Sequence, residues 1–238
     1  MESTLSGVGV LDKSVSVLAA LEADGPLSLA DLAASTGLPR ATAHRLAVAL
    51  ETHGLVRRDD GGRFALGLRF VAFSRAAGAQ FPLAEISRPT LERLRDEVGE
   101  SVQLYVREGE ARRCLVSLES PHGLRWIVPE GALFPLDRGS AGTVLSATVA
   151  KATVAKATMT MATTAKAATA KAGWVESIEA RERGVCSVSA PVTGPGGRVL
   201  AAVSVSGPVD RLGRTPGRRH GRAVADAAAE ITRAAERA

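Results

Sequence analysis

The stretch LPRATAHRL, residues 38–46, decides the fold that the first part of this chain is expected to adopt. Leu46 and Leu50 recur at helical spacing, which predicts a helix with one buried face. Pro39 lies at or near the first helical position, where its missing N–H costs nothing. Gly37, just before it, is expected to end the preceding helix. Two helices joined by so short a turn indicate a helix-turn-helix motif.

Two helices are predicted on the N-terminal side of this stretch. The first spans residues 11–23, and its apolar face is expected to carry Leu11, Val15, Leu18 and Leu21. The second begins after Ser28, which has the side chain of an N-cap residue. Asp31 stands three residues further on, in a position like that of a capping box. This second helix would pack against the one that follows the turn.

Two short apolar runs on the C-terminal side, residues 55–58 and 63–66, flank the turn Asp59-Asp60-Gly61-Gly62. Strand-like runs separated by aspartate and glycine predict a β-hairpin. Three helices followed by a hairpin are typical of a winged helix-turn-helix. In a helix-turn-helix the second helix of the motif enters the major groove of DNA.

Polar side chains cluster at the start of the third helix, where a recognition helix meets base edges and phosphates. Arginine can donate two hydrogen bonds to guanine, and threonine and histidine can donate or accept. Arginines also flank the hairpin turn and could reach phosphates from the strand sides, whereas the aspartates at the tip would repel them. The candidate DNA contacts are Ser28, Arg40, Ala41, Thr42, His44, Arg45, Arg57, Arg58 and Arg63. The alternatives are a solvated helix face and edge-strand charges that prevent aggregation.

The remainder of the chain is predicted to form an α+β domain around an antiparallel sheet. A helix over residues 68–79 is expected to link the domains, and a second helix spans residues 83–98. Period-two alternation begins at Ser101 and predicts strands. The predicted strands cover residues 101–106, 114–118, 124–128, 184–191 and 199–206, and a final helix follows Thr215-Pro216. The expected organisation is a DNA-binding domain at 1–67, a linker helix at 68–82 and an effector-binding and oligomerisation domain at 83–238.

A second candidate site begins at Gly139-Ser140-Ala141-Gly142, the expected start of a helix. Free backbone N–H groups and the helix dipole at such a place suit a small anion such as a carboxylate. Ser204 and Ser206 have the same parity on one strand and therefore share a face. Together with Ser187 they suggest a polar pocket. The alternative for the glycine-rich segment is a tight strand-to-helix turn.

Composition excludes several classes of protein. The chain has 238 residues, a formal charge of +5 and two cysteines, which are too few for a disulfide framework. The histidines lack metal-ligand spacing, so neither a metal nor another cofactor is expected. No apolar run approaches the ~20 residues that cross a bilayer, and no signal peptide is visible, so we expect a cytoplasmic protein.

Residues 148–172 differ from the rest of the sequence. They consist of alanine, threonine, lysine, valine and methionine, and they contain four of the chain's lysines. Those lysines point to several sides of a helix, so no amphipathic face forms. Without them the formal charge falls from +5 to +1. The local arginine clusters therefore support the DNA-binding hypothesis better than the net charge does, and the segment itself supports no functional prediction.

The chain resembles the IclR family of bacterial transcription regulators in four motifs of matching order and spacing. These are residues 38–46, 139–142, 184–192 and 202–208. The resemblance implies a GAF-like effector domain, binding to double-stranded DNA, and a homodimer or homotetramer. It also implies that Ser187, Ser204 and Ser206 lie where relatives hold carboxylate effectors, and Glu179 matches an acidic position of the family. Residues 148–172 depart from the Leu- and Glu-rich helices that usually flank the pocket.

Residues 7–22 and 89–109 look most similar to an actinobacterial subgroup linked to the control of amino-acid biosynthesis. The effector implied by that narrower likeness is a carboxylate or another metabolite of an amino-acid pathway.

Three functions compete at this stage. The first is a ligand-responsive regulator on palindromic operator DNA, in which the effector selects one conformation. The second is an enzyme, which the sequence disfavours because serine nucleophiles need a positioned base. The pocket motifs contain no histidine, and the chain has neither a Gly-x-Ser-x-Gly elbow nor a P-loop. The third is an effector-independent DNA-binding protein whose C-terminal domain only oligomerises.

Overall fold

Three helices open the chain: α1 (Gly9–Asp24), α2 (Leu29–Thr36) and α3 (Arg40–Thr52). Ser28 caps α2 as predicted, because its hydroxyl accepts a hydrogen bond from the Asp31 N–H at 3.2 Å. That hydroxyl also donates to the Asp31 carboxylate at 2.7 Å. Gly37 ends α2 in the left-handed conformation, with φ of 66°, which glycine adopts without a steric penalty. Pro39 lies one residue before α3, at its N-cap.

The predicted hairpin follows as β1 (Val56–Arg58) and β2 (Phe64–Leu66), which pair antiparallel. Leu27 forms a bridge with Phe64 on the other side of β2. This ties the hairpin to the chain just before α2. The core beneath the helices and the hairpin consists of Val17, Ala20, Leu21, Leu32, Leu46, Ala47, Leu50, Val56 and Phe64. The winged helix-turn-helix architecture predicted from the sequence is therefore present.

One expectation for α1 is only half correct. Leu18 and Leu21 pack into the core, but Leu11 and Val15 are 52% and 53% exposed. The next helix, α4 (Arg69–Gln80), buries no residue. The N-terminal part of α1 and the whole of α4 therefore leave apolar side chains uncovered.

The computed structural model of the chain describes residues 6–80, 82–146 and 173–237. Contacts divide them into two units, with the boundary between residues 81 and 82. The lysine-rich segment singled out in the sequence, residues 148–172, lies outside the described residues. No described helix is both long enough and apolar enough to cross a membrane.

The second unit is built on a six-stranded sheet with the strand order β5-β4-β3-β8-β7-β6, antiparallel throughout. Its elements, in chain order, are α5 (Leu83–Val98), β3 (Ser101–Glu108), β4 (Ala111–Leu118), β5 (Leu133–Pro135), α6 (Ser140–Ser146), β6 (Val175–Ile178), β7 (Val185–Thr193), β8 (Val199–Pro208), α7 (Val209–Leu212) and α8 (Pro216–Ala235). This mixture of helices with an antiparallel sheet confirms the predicted α+β class.

The two faces of the sheet carry different cores. Val203 and Val205 pack with α5 and α8 on one face, opposite to the face that Ser204 and Ser206 share. Tyr105 and Cys114 pack with α6 on the other face. Along β7 and β8 the two sets of side chains alternate, because successive residues point to opposite sides of a sheet. The serines of β7 and β8 therefore lie on the α6 face.

Two details of the predicted sheet are wrong. Residues 124–128 form no strand, and Leu124 and Ile127 are 74% and 52% exposed. The edge strands β5 and β6, of three and four residues, were not predicted, because runs this short show too few alternations to stand out. The central strands β3, β4, β7 and β8 match their predicted ranges to within a few residues.

Candidate functional site

The start of α3 presents the predicted polar residues to solvent. Arg40, His44 and Arg45 are exposed, as is Ala41, while Thr42 is half-buried. The N–H of Thr42 already donates to the Pro39 carbonyl at 2.8 Å. Neither Arg40 nor Arg45 forms an ion pair with a described residue. Both guanidinium groups are therefore available for an anionic partner.

The hairpin arginines differ from one another in their surroundings. Arg58 stacks over the Phe64 ring at 4.4 Å, and its Nε lies 3.5 Å from a Glu51 carboxylate oxygen. Arg63 pairs with Asp59 at 2.8 Å. Arg57 is exposed and pairs with no acidic side chain in the described parts of the chain. Of the three, Arg57 has the guanidinium that is least engaged within the protein.

Asp59 organises the hairpin turn. Its carboxylate accepts hydrogen bonds from the N–H groups of Gly61 at 3.0 Å and Arg63 at 2.9 Å. These bonds, led by that from the Arg63 N–H, hold the pKa of Asp59 below its ordinary value. Arg63 thus neutralises a carboxylate at the tip that would otherwise repel phosphate. Its pairing supports the shape of the wing rather than an open phosphate contact.

Ser28 lies at the N-terminus of α2, and its hydroxyl is engaged with Asp31 in both directions. The structure therefore gives Ser28 a capping role, and its role as a DNA contact remains a prediction.

Five serines and a glutamine gather on the α6 face of the sheet. The Ser140 hydroxyl lies 2.7 Å from the hydroxyls of both Ser187 and Ser189. Ser189 donates to Ser204 at 2.9 Å. Ser206 donates to the Gln103 carbonyl at 2.7 Å. These bonds join the predicted residues Ser140, Ser187 and Ser204 in one network, and Ser206 bonds separately to Gln103.

A small cavity opens beside this network. Its volume is about 40 Å³, which corresponds to room for about three water molecules, since one water needs about 10–15 Å³ on this measure. The predicted residues Gly139, Ser140, Ala141, Ser187, Ser204 and Ser206 line it, and so do Tyr105, Arg112, Trp126 and Arg181. The cavity is thus lined by hydroxyls, aromatic rings and two guanidinium groups.

Arg112 is the most deeply buried of these charged groups, at 2% exposure. Its Nη1 donates to the carbonyls of Pro135 and, at 2.9 Å, Arg138. Its Nε has no hydrogen-bond partner. Burial lowers the pKa of the Arg112 guanidinium, and the nearby charge of Arg181 lowers it too. Gly142 leaves room for this side chain, because a Cβ there would lie 2.7 Å from the Arg112 Nη1.

Arg181 contributes a second cation to the cavity and stacks against two aromatic rings. Its guanidinium lies 4.2 Å from the Phe134 ring centre and 4.8 Å from that of Trp126. Burial raises the pKa of Tyr105, which also lines the cavity, to about 12. The phenol therefore stays protonated near neutral pH and can donate a hydrogen bond.

The structure does not bring Glu179 to this cavity. Glu179 lies in the turn between β6 and β7, where its carboxylate accepts from the Gly184 N–H at 2.9 Å. A second carboxylate oxygen lies 3.8 Å from Arg214. Its φ of 51° is rare for a residue other than glycine. The carboxylate thus holds a strained turn together.

Arg112, Tyr105 and Ser189 were missed as site residues, although the sequence contains a signal for two of them. Arg112 has the parity of Cys114 on β4, so alternation places it on a buried face. Ser189 has the parity of Ser187 on β7. A basic residue at a buried position of a strand indicates a site, because arginine is almost never fully buried unless it is paired.

Family profiles match both parts of the chain. One described as the IclR helix-turn-helix domain matches residues 10–60. One described as the bacterial transcriptional regulator IclR C-terminal region matches residues 76–233.

Individual relatives agree with these profiles. The chain is 33% identical over 121 residues to the HTH-type transcriptional regulator KipR of Bacillus subtilis, a match covering 50% of the chain and 48% of KipR. It therefore spans about half the length of that relative. It is 29% identical over 223 residues to the glycerol operon regulatory protein of Streptomyces griseus, covering 87% of this chain and 88% of that protein.

Among solved structures, the chain has the fold of an IclR homologue from Microbacterium hydrocarbonoxydans that was crystallised with 4-hydroxybenzoate. The TM-score is 0.79 at 22% identity, and the match covers 94% of this chain and 98% of that one. At this identity the likeness establishes the fold alone.

Proposed function

Because the chain belongs to the IclR family of bacterial transcriptional regulators, we propose that it is a ligand-responsive regulator of transcription. It binds palindromic operator DNA through α3 and the hairpin, and its C-terminal unit holds a small-molecule effector. The DNA-binding part of the proposal rests on the exposed start of α3, where Arg40 and Arg45 have no acidic partner among the described residues. In this proposal residues 1–67 form the DNA-binding domain and residues 68–82 link the two domains. Residues 83–238 bind the effector and form the oligomer.

The effector half of the proposal rests on the cavity at α6. Its hydroxyls and guanidinium groups are hydrogen-bond donors, which favour an acceptor-rich ligand such as a carboxylate. The related structure from Microbacterium hydrocarbonoxydans was solved with an aromatic carboxylate, which supports the same class of ligand here. The finer proposal of an amino-acid-pathway metabolite rests only on the sequence likeness of residues 7–22 and 89–109. A cytoplasmic location follows from the proposed role, because the operator is chromosomal.

The oligomeric part of the proposal is a homodimer, alone or paired into a tetramer. A palindromic operator presents two half-sites one or more helical turns apart, and a two-fold dimer matches that spacing. The uncovered side chains of α1 and α4 offer apolar surface for self-association, because exposed apolar surface marks protein–protein contacts where it is contiguous. They are Val10, Leu11 and Val15 on α1, Val71 and Phe73 on α4, and Leu68 just before it.

The test of this proposal is capture of genomic fragments by the purified full chain, followed by fluorescence anisotropy on the best fragment across a salt series. We expect a palindromic site and an affinity that falls steeply with salt, with a slope of about −0.9 per phosphate contact. Arg40→Ala and Arg45→Ala should each weaken binding, by about tenfold or more if the side chain reads a base.

Arg222→Ala is the matched control. Arg222 is exposed on α8, so this variant removes the same charge outside the proposed interface and should bind DNA like the parent chain. Weak, sequence-blind binding that none of the α3 variants changes would refute the proposal. DNA binding that no small molecule alters would instead leave an effector-independent regulator.

A further inference from the structure

The cavity at α6 has an unusual balance of charge. It is lined by Arg112 and Arg181, yet within the described residues no carboxylate lies in ion-pair distance of either guanidinium. Glu182 also lines the cavity, but its side chain is exposed. Asp137 attracts Arg112 without forming an ion pair with it. The interior of the cavity therefore carries uncompensated positive charge.

Arg112 makes this imbalance costly. A buried charge is expensive to keep unless it is paired and fully hydrogen-bonded, and arginine keeps its charge in proteins. The Arg112 Nε can only donate a hydrogen bond, and it has no acceptor. The only other buried side-chain atom without a partner in the described ranges is Gln103 Nε2, also a donor. What the site lacks is an acceptor with negative charge.

Gly139, just before α6, and Gly142, inside it, leave room for this guanidinium. A Cβ at Gly139 would lie 3.6 Å from the Arg112 Nη2, and one at Gly142 would collide with the Leu136 carbonyl at 2.4 Å as well as with Arg112. The glycine-rich segment thus lets the chain close around a buried cation.

We infer that Arg112 is the charge-recognising residue of this cavity, the group that makes an anion bind there in preference to a neutral molecule of the same shape. Arg181, less buried and held against Trp126 and Phe134, is the second cation. The inference rests on the proposed effector site, and it assigns the charge preference to one side chain on β4 instead of to backbone groups of α6.

The experiment compares pairs of probes that differ in charge and hardly in shape. Sodium acetate and acetamide, and sodium benzoate and benzamide, are titrated into the full chain without DNA, with inorganic phosphate as a further arm. We expect at least one carboxylate to bind more tightly than its amide. The cavity of about 40 Å³ favours the acetate pair over the benzoate pair.

The decisive variant is Arg112→Gln, which should reduce the preference of the carboxylate over its amide by about 10- to 100-fold, the usual effect of losing one hydrogen bond to a charged group. Arg183→Gln is the matched control, because Arg183 is exposed and does not line the cavity. It should leave the preference unchanged, and Arg181→Gln should reduce it by less than Arg112→Gln does. If phosphate shows the Arg112-dependent binding and carboxylates do not, the residue assignment stands and the ligand is a phosphate.

Arg112 also donates hydrogen bonds to the Pro135 and Arg138 carbonyls. Losing these bonds could keep Arg112→Gln from folding. The second measurement therefore uses the parent chain and follows the arginine Nε–H signals by NMR, with that of Arg112 assigned from Arg112→Lys. We expect the Arg112 signal to shift with saturating acetate.

An anion preference that survives in folded Arg112→Gln would overturn the inference. So would a parent chain that binds neither a carboxylate in preference to its amide nor phosphate, or an Arg112 signal that does not move with the anion that binds. These assays contain no DNA, so a failure of operator binding leaves their outcome intact and is seen separately.

Discussion

Single residues show how closely the C-terminal unit is packed. Trp174 lies against two glycines of α8, and a Cβ at Gly217 would stand 1.8 Å from the Trp174 ring. At Gly221 the corresponding distance is 2.4 Å. The N–H of Gly217 also donates to the Glu176 carboxylate at 2.8 Å, which places a negative charge at the positive end of α8. The glycines therefore let β6 and α8 approach each other.

We expect Gly217→Ala to lower the free energy of unfolding by about 1–3 kcal/mol, because the ring has to move out of a well-packed position. Urea denaturation followed by circular dichroism measures the change. Gly123→Ala is the control, since a Cβ at Gly123 meets nothing within 4 Å. A Gly217→Ala variant as stable as this control would show that Trp174 does not occupy that place in solution.

The two thiols should be unreactive in the folded chain. Burial raises the pKa of Cys114 to about 12 and that of Cys186 to about 11, and only the thiolate attacks disulfide reagents. We expect negligible reaction with Ellman's reagent at pH 8 and full reaction in denaturant. The unfolded thiols ionise near pH 9, so the folded state loses stability as pH rises from about 9 toward 11. Rapid labelling of either cysteine in the native protein would contradict this packing.

The candidate site was partly predictable for a physical reason. Ser204 and Ser206 share a face through strand parity, a local property that a sequence displays directly. The parity of β4 places Arg112 on a buried face, but its contacts with the Pro135 and Arg138 carbonyls depend on the path of residues 119–139. That path leaves no periodic signal, so the place of this cation in the cavity emerged only in the structure.

At the scale of elements, prediction succeeded where a helix or strand is bounded by residues with a specific backbone role. Ser28 and Gly37 fix both ends of α2, and Pro216 fixes the start of α8. The supposed strand at residues 124–128 failed because it pairs with no strand of the sheet, although Val128 is buried in the core on the α6 face. An apolar run without a partner strand provides no ladder of hydrogen bonds, and tertiary context overrides its local propensity.

The cap of α2 gives a test at this scale. We expect Ser28→Ala to lower the free energy of unfolding by about 1 kcal/mol, the usual loss of an N-cap, and Ser28→Asn to restore it, because asparagine caps well. Thermal unfolding measures both variants, and anisotropy compares their affinities for the operator. If Ser28→Ala stays folded but binds DNA tenfold more weakly, and Ser28→Asn does not recover binding, Ser28 contacts DNA directly.

At the scale of the whole molecule, the uncovered side chains of α1 carry the proposal of a dimer. We expect the double variant Leu11→Lys, Val15→Lys to be monomeric by light scattering, because lysines at both positions put like charges into the proposed apolar contact. Both positions are about half exposed, at 52% and 53%, so the change should not unfold the chain.

The control is Leu124→Lys, which places the same charge at an apolar side chain that is 74% exposed in the other unit. A parent chain that is itself monomeric, or a double variant that stays dimeric, would exclude α1 as the dimer contact.

The strand order also sets the sequence of events while the chain is made. β3 pairs with β8, so the sheet stays incomplete until the ribosome has added everything between residues 108 and 199. At about 5–20 residues per second this takes roughly 5–20 seconds, during which one edge of β3 has no neighbour and can recruit chaperones or a second nascent chain. The helix-turn-helix elements are complete by residue 66. A transcript broken before codon 199 would thus yield a product that has its DNA-reading elements and lacks its sensor.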